Sequence, residues 1–361
     1  MAKKKKVAIL YGGRSVEHGV SVNSARNIFE FLNKGKFEAV PVGISKKGKW
    51  FLTDGVSKDI EKGQPLGLIV EPGNSAFIVL KENKKIKVDI IFPVLHGTDG
   101  EDGSIQGMIK AMDVPMVGTG VLGSSMSMNK IVAKQMLANA GLPVSEFLTF
   151  RYDEKDKITF NAIAKKLGVP FMVKSASLGS SVGVTKVNTK KDFKAAVEEA
   201  FKYDNEMLAE QYITGRELEC AVLGNYPPQA SAPGEIVISK EYEFYTFDAK
   251  YVDPNAVAID VVAKLPKAIA EKIRKASVQA YEALHCEDFA RIDLFLDKKG
   301  NIYINEINTI PGFTNSSMYP MMWKEQGISF PNLITKLLEL ATERYERSKR
   351  IEREFTSSLK F

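Results

Sequence analysis

Short apolar runs alternate with amphipathic helical patterns along the first third of the chain. The apolar runs lie in KVAILYGG, EAVPVGI, DIIFPVLHG and PMVGTG, and helical patterns cover residues 23–32 and begin again near Ser104. This order predicts a parallel sheet with helices on both faces and ligands beyond the carboxyl ends of its strands. The loops at those ends are GGRSVEHGVS, HGTDGEDGSIQG and GTGVLGSS. Because they are rich in glycine and polar residues, we expect chemistry there.

Two further units follow along the chain. From residue 125 the pattern predicts a helix over 130–140, a helix over 192–203, and the strands PFMVKSA, VGVTKV and MLAEQYI. We expect a small antiparallel sheet with helices on one side. After Arg216 come further strands, the helix LPKAIAEKIRKASVQAYEALHC, a hairpin and a final helix over 333–350. The predicted domains are 1–123, 124–213 and 214–361.

The composition is that of an ordinary globular protein. The chain has 361 residues, of which 44% are hydrophobic, and no apolar run is long enough to span a bilayer. The start, MAKKKKVAILYGG, lacks the apolar length of a signal peptide, so we expect a cytoplasmic location. Cys220 and Cys286 match no metal spacing and are expected to be reduced thiols. Four of the lysines that contribute to the net charge of +6 are residues 3–6. Elsewhere basic residues alternate with acidic ones. Small anionic ligands are therefore favoured over nucleic acid or a membrane.

The segment RIDLFLDKKGNIYINEINTIPGF, residues 291–313, has the pattern of a β-hairpin. A two-residue turn within DKKG would place Arg291 opposite Glu306 and Asp293 opposite Ile304. Residues two apart share a face, so Arg291, Asp293, Glu306 and Asn308 would point the same way. Two carboxylates and an amide oxygen suit Mg²⁺. The alternative is a cross-strand ion pair on a wet face, which leaves Asp293 and Asn308 unexplained.

A Gly- and Ser-rich loop follows a strand in VKSASLGSSVGV, residues 173–184. Small residues let backbone N–H groups approach a phosphate, and Lys174 supplies a point charge. The alternative is a plain flexible hairpin. The P-loop sequence G-x-x-x-x-G-K-[ST] does not occur, so a nucleotide bound here would not be held by a P-loop.

Five stretches together carry a resemblance to a known family. They are GGRSVEHGVS, HGTDGEDGSIQG, LGSSMSMNK, VKSASLGSSVGV and RIDLFLDKKGNIYINEINTIPGFTNSSMYP. In this order the chain resembles, over nearly its whole length, the D-alanine:D-alanine ligases of the ATP-grasp superfamily. The resemblance implies an α/β and α+β multidomain protein. An N-terminal parallel α/β (pre-ATP-grasp) domain would hold the first substrate, and a two-part ATP-grasp fold would follow it.

The resemblance also implies roles for residues at the matching positions. The implied catalytic and substrate residues are Glu17, Ser180, Tyr251, Arg291, Gly312 and Ser317, with His96 in support. The implied ATP contacts are Lys130, Lys174, Glu210, Gln211, Tyr212, Ile213, Glu217 and Lys250. Two Mg²⁺ ions, replaceable by Mn²⁺, would bind Asp293, Glu306 and Asn308. Without the motif order, Lys130, Glu217 and Tyr251 would be assigned to solvated or packing positions.

The implied activity is the ATP-dependent joining of two D-alanine molecules. Tyr251, in the polar aromatic segment EYEFYTFDAKYVDP that we take as a lid, favours a dipeptide over a D-lactate product. Ser175 and Ser316 depart from residues common in the family and affect the second substrate pocket. Family members are commonly homodimers, and potassium activation is left open by the sequence. The rival hypotheses are another ATP-grasp carboxylate–amine ligase, such as one with D-serine or D-lactate as acceptor, and an inactive nucleotide-binding regulator.

Overall fold

The computed structural model describes residues 3–238 and 257–352, which form three sheets with helices packed against them. The first sheet has seven strands in the order β6-β5-β4-β3-β2-β1-β7. Its elements, in chain order, are β1 Lys5–Gly12, α1 His18–Phe31, β2 Phe37–Ile44, β3 Trp50–Leu52, β4 Gln64–Ile69, β5 Ala76–Val79, β6 Lys84–Ile86, β7 Ile90–Pro93 and α2 Ser104–Met112.

The parallel arrangement expected for this sheet holds for three neighbouring strands. β1 pairs in parallel with β2 and with β7, whereas β3 to β6 extend the sheet with antiparallel strands. The strand expected at PMVGTG is reduced to one parallel bridge between Ile91 and Met116. Helix α1 begins at His18, five residues before its predicted start. The carboxyl ends of β1 and β7 therefore lead into the two polar loops of the predicted site.

The second sheet is antiparallel, as expected, with four strands in the order β10-β9-β11-β8. Its elements are α3 Val121–Met128, α4 Lys130–Asn139, β8 Phe147–Arg151, α5 Phe160–Leu167, β9 Phe171–Ser175, β10 Val184–Val187, α6 Lys190–Tyr203 and β11 Glu206–Gln211. Helix α4 begins at Lys130 because the Asn129 side chain caps it, accepting from the backbone N–H groups of Ile131 and Val132. This cap fixes the first turn of α4, from which the Lys130 side chain extends.

The third sheet carries the predicted hairpin at one edge. Its strand order is β15-β14-β12-β16-β17, and β13 pairs with β12 beside this path. Its elements are β12 Gly215–Leu223, β13 Gln229–Ala230, β14 Gly234–Ile238, β15 Val257–Asp260, α7 Lys267–Ala283, β16 Phe289–Asp297, β17 Ile302–Asn308, α8 Met318–Glu325 and α9 Phe330–Ser348. Both Cys220 and Cys286 are buried free thiols.

Helix α9 joins the third unit to the first. The Arg344 guanidinium donates to the backbone oxygens of Met116, at 2.6 Å, and Gly118, at 2.8 Å. It also pairs with Glu287 and with Asp288, whose Oδ2 lies 3.1 Å from Arg344 Nη2. Burial raises the pKa of Asp288 to about 6 although Arg344 opposes the change. One partly buried arginine thus links segments of both units.

Within the described ranges, none of the helices combines the length and apolar character that a bilayer crossing requires.

Candidate functional site

The β16–β17 hairpin differs in register from the prediction. Its turn contains three residues rather than two, since the Asp297 N–H donates to the Asn301 oxygen at 2.9 Å and Gly300 has a φ of +81°. A bulge between Asp293 and Leu294 shifts the pairing once more. The expected pairs, Arg291 with Glu306 and Asp293 with Ile304, are therefore wrong. Arg291 pairs with Asn308, and Asp293 pairs with Glu306.

The four predicted side chains nevertheless lie on one face of the hairpin. Arg291 holds Asp293 through two hydrogen bonds of 2.7 Å, from Nε and Nη2. Asn308 Nδ2 donates to Asp293 Oδ2 at 2.9 Å. Glu306 Oε2 lies 3.9 Å from Lys130 Nζ. Arg291 Nε also lies 3.2 Å from Oε2 of Glu219. Glu219 is a buried residue of β12 that was not predicted. The signal for Glu219 was the alternation in RELEC, residues 216–220, which places Glu219 on the same face of β12 as the predicted Glu217.

A cleft between the second and third sheets gathers the predicted nucleotide and metal residues. Residues of β9, β11, β12, β16 and β17 line it. The predicted residues that line it are Lys130, Lys174, Glu210, Gln211, Tyr212, Ile213, Glu217, Asp293 and Glu306. The ammonium of Lys186 lies 4.5 Å from the centre of the Tyr212 ring. Basic, acidic and aromatic groups thus meet in one concave site.

The cationic end of the cleft rests on a buried carboxylate. Lys174 Nζ lies 2.7 Å from Glu210 Oε2 and donates to Asn305 Oδ1 at 3.2 Å. Lys134 Nζ lies 2.7 Å from Glu210 Oε1. Burial alone would raise the pKa of Glu210, but the two lysines hold it well below its usual range, so the carboxylate is ionised. The sequence analysis missed Lys134 and Asn305.

The hairpin offers a donor set that fits a hard cation in its chemistry. Asp293 and Glu306 occupy directly paired positions and both line the cleft, with Asn308 beside them. Carboxylate and amide oxygens are the ligands that Mg²⁺ takes in proteins. Among the described residues no group of three or more His, Cys, Asp or Glu side chains forms a metal centre. Any site here would therefore combine two carboxylates with an amide and with oxygens from a ligand.

A second group of predicted residues lies where the polar loops meet. Glu17 is buried, with 7% of its surface exposed, and it accepts a hydrogen bond from the Ser180 hydroxyl. The imidazole of His96 is buried between the Ser24 hydroxyl, 3.0 Å from Nε2, and the Ile310 oxygen, 2.8 Å from Nδ1. Because a carbonyl only accepts, Nδ1 carries the proton and Nε2 accepts from Ser24. Burial lowers the pKa of His96, so the neutral ring is favoured.

Two further contacts complete this region. A methyl group added at Gly312 would lie 3.4 Å from Ser317 Oγ, so these two predicted residues are neighbours. Glu101, which was not predicted, accepts from the N–H groups of Gly97 at 2.9 Å and Ile310 at 2.8 Å. Burial, together with the charge of Glu17, raises the pKa of Glu101 to about 8. The predicted residues Lys250 and Tyr251 lie outside the described ranges.

Comparisons with known proteins match one family over almost the whole chain. Residues 6–119 match the family described as D-ala D-ala ligase N-terminus, and residues 136–339 match D-ala D-ala ligase C-terminus. The chain is 44% identical to a D-alanine–D-alanine ligase of Shouchella clausii, covering 96% of this chain and 97% of that protein. It is 42% identical to D-alanine–D-alanine ligase A of Escherichia coli K12, covering 95% and 97%.

Solved structures are similar in fold as well. The D-alanine-D-alanine ligase from Coxiella burnetii has a TM-score of 0.84 at 33% identity, covering 96% of this chain and 98% of that chain. The VanG D-Ala:D-Ser ligase from Enterococcus faecalis has a TM-score of 0.85 at 36% identity, covering 94% and 100%.

Proposed function

The chain belongs to the D-ala D-ala ligase family, and we propose that it joins two D-alanine molecules to D-alanyl-D-alanine, using ATP, for peptidoglycan synthesis. The observation that carries the proposal is the loop after β9. Its residues Leu178 and Ser181 line the nucleotide cleft, while Ser180 between them contacts Glu17. One loop therefore adjoins a site for phosphates and a buried carboxylate suited to an ammonium group.

The reaction follows from these groups. Glu17 holds the ammonium of the first D-alanine, and Lys130 and Lys174 hold the ATP phosphates. The carboxylate of the first D-alanine attacks the γ-phosphorus of ATP. The bond from this phosphorus to the ADP oxygen breaks, and an acyl phosphate forms. Phosphoryl transfer of this kind needs positioning and charge neutralisation rather than covalent help. The amine of the second D-alanine then attacks the acyl carbon, and phosphate leaves. Arg291, beside Asp293, serves as donor to the oxyanion that develops in this step.

Magnesium is the cation we assign to the hairpin face, with Mn²⁺ as a substitute. Asp293, Glu306 and Asn308 would hold it, and when bound it neutralises charge on the transferring phosphate. In the described structure, Asp293 is engaged by Arg291 and Asn308, and Glu306 lies near Lys130. These contacts hold both carboxylates in place on the cleft wall.

A second candidate is a ligase that takes D-serine as its second substrate. The similarity to the VanG D-Ala:D-Ser ligase favours this alternative. The two reactions share the ATP half and the first D-alanine, so they differ only in the acceptor pocket near Gly312 and Ser317. We place D-alanine first because the curated relatives at 42 to 44% identity are named for it. A homodimer in the cytoplasm is the assembly and location we propose with it.

The test measures ADP release by the purified protein with ATP and Mg²⁺. D-alanine alone is expected to support turnover and to yield the dipeptide, identified by mass spectrometry. Parallel reactions add D-serine, D-lactate or L-alanine. Turnover that requires D-serine would replace the first candidate by the second. ATP binding without any turnover would instead favour a nucleotide-binding regulator.

A further inference from the structure

A cluster of three buried charges underlies the nucleotide cleft. Glu210 lies between Lys134 and Lys174, each with its ammonium 2.7 Å from one carboxylate oxygen. Their side chains are almost fully enclosed, with exposed fractions of 1% for Lys134, 2% for Glu210 and 10% for Lys174. Burying charges at this depth is costly unless each has a partner.

The charges in this cluster do not balance. Two ammonium groups share one carboxylate, so one positive charge is in excess within these three residues, and the carboxylates of Glu306 and Glu217 act on Lys174 from the cleft wall. Removal of a charge from water favours an opposite charge close by, so the excess charge favours an anion in the cleft. Which of the two lysines carries the excess then decides where an anion binds.

Position separates the roles of the two lysines. Lys174 lines the cleft, where a ligand can reach it, whereas Lys134 is not part of the cleft wall. Lys134 is also tied on its other side, because its ammonium donates to the buried Ser145 hydroxyl at 2.9 Å. Ser145 in turn donates to the same Glu210 oxygen, Oε1, that Lys134 approaches. Lys134, Ser145 and Glu210 Oε1 therefore contact one another, and of these three residues Glu210 alone lines the cleft.

We propose that Lys134 is a positioning residue of the nucleotide site: as the fixed counter-ion of Glu210, it leaves the charge of Lys174 available to the phosphates of ATP. The inference rests on the proposed function, since it takes ATP as the ligand of the cleft. Lys130 and Lys134 lie one turn apart on α4, so this helix directs both a ligand-facing lysine and its supporting lysine toward the cleft. Asn305, the bulge residue of β17, supports Lys174 from the opposite side.

Replacing Lys134 by methionine tests the proposal. Lys174 then becomes the sole counter-ion of Glu210 and is held away from phosphate. The loss of a charged interaction of this kind corresponds to about a 10- to 100-fold rise in the KM for ATP. The KM for D-alanine is expected to stay unchanged. Lys194→Met, which removes an exposed lysine of α6, is the control and should leave both constants at wild-type values.

A second variant distinguishes this role from simple support of the fold. In Lys134→Met/Glu210→Gln no buried carboxylate requires a counter-ion, so Lys174 is released again. ATP affinity, measured by calorimetry on the folded proteins, should match that of Glu210→Gln alone within about threefold. Additive losses in the double variant would overturn the proposal, as would an unchanged KM for ATP in Lys134→Met. Wild-type turnover of D-alanine in the same assays tests the proposed function separately.

Discussion

The hydroxyl of Ser180 donates a hydrogen bond to the carboxylate of Glu17, and this contact joins the loop after β9 to the loop after β1. Ser180 adopts a left-handed backbone conformation, with a φ of +55°. Such a conformation is unfavourable for a residue with a side chain and is often found at functional sites. The contact explains why a polar residue, rather than glycine, occupies this strained position.

Two substitutions separate the Ser180 hydroxyl from the backbone strain. Ser180→Gly relieves the strain and removes the hydroxyl, whereas Ser180→Ala removes the hydroxyl alone. If the hydroxyl orients Glu17, both variants should lower kcat/KM for D-alanine by about 10-fold, the cost of one hydrogen bond to a charged group. The KM for ATP should stay at its wild-type value. Steady-state kinetics with each substrate varied would check this, and full activity in Ser180→Gly would contradict the assigned contact.

The guanidinium of Arg291 is expected to act in chemistry rather than in nucleotide binding. Arg291→Ala should lower kcat by about 100- to 1000-fold, the usual effect of removing one donor to a developing oxyanion. Calorimetry should find ATP affinity within a few fold of wild type. Arg216→Ala removes another arginine of the same sheet, paired with Glu235 of β14, and serves as the control. Wild-type turnover in Arg291→Ala would refute its role.

The hairpin shows how far the sequence could predict this site. The prediction assumed a two-residue turn and no bulge, and the structure has a three-residue turn and a bulge near Asn305. Each difference shifts the pairing by one residue, so Glu306 pairs with Asp293 instead of Arg291. Because residues two apart share a face of the strand, Glu306 still lies on the predicted face. The grouping of four side chains was therefore correct although every predicted pair was wrong. A bulge depends on the fit of the whole sheet, which local pattern does not contain.

Other parts of the site lay beyond sequence pattern for a different reason. A lysine on a helix, such as Lys134, is ordinarily solvated, and only tertiary packing buries it against Glu210. Arg344 likewise appears in a charged helix typical of a surface, yet it reaches a buried aspartate. Alternating strands and helices could be predicted because hydrophobic periodicity is local. Charge burial is a property of distant segments brought together.

Glu306 is expected to affect the requirement for metal. After removal of divalent ions with a chelator, wild-type activity should be lost and should return with Mg²⁺ or Mn²⁺. Glu306→Gln should raise the Mg²⁺ concentration for half-maximal activity by at least about 10-fold, since even outer partners of a metal contribute about that much. Exposed Glu325, replaced by glutamine, is the control. An identical Mg²⁺ titration for Glu306→Gln would remove this residue from the metal site.

Arg344 is expected to govern stability rather than activity. Arg344→Met leaves Asp288, which has no exposed surface, without its cationic partner. Breaking a buried pair in this way costs about 3–5 kcal/mol in the free energy of unfolding. Arg347→Met, one turn later on α9, removes a more exposed ion pair with Glu343 and should cost less than about 1 kcal/mol. Denaturant titration of the two variants would compare them, and equal losses would contradict the buried role of Arg344.

Glu101 is expected to make stability depend on pH. Its pKa is about 8 in the folded protein, raised from an ordinary value of 4.5 by burial and by the charge of Glu17. Between these values the folded state retains a proton that the unfolded state releases. The contribution of Glu101 is therefore fully present below pH 4.5 and is lost as the pH rises through about 8. The free energy of unfolding should fall by up to about 1.4 kcal/mol per pH unit in that window from this group alone.

The measurement compares denaturant unfolding of wild type and Glu101→Gln from pH 5 to pH 8. Glutamine does not titrate, so the variant should show the shallower dependence, with the difference concentrated in this window. Glu325→Gln changes an exposed carboxylate and should reproduce the wild-type slope. Because Glu101 accepts from the backbone N–H groups of both Gly97 and Ile310, its carboxyl group links the loop after β7 to the segment after β17. Parallel curves for wild type and Glu101→Gln would show that this carboxyl is ionised in the folded protein.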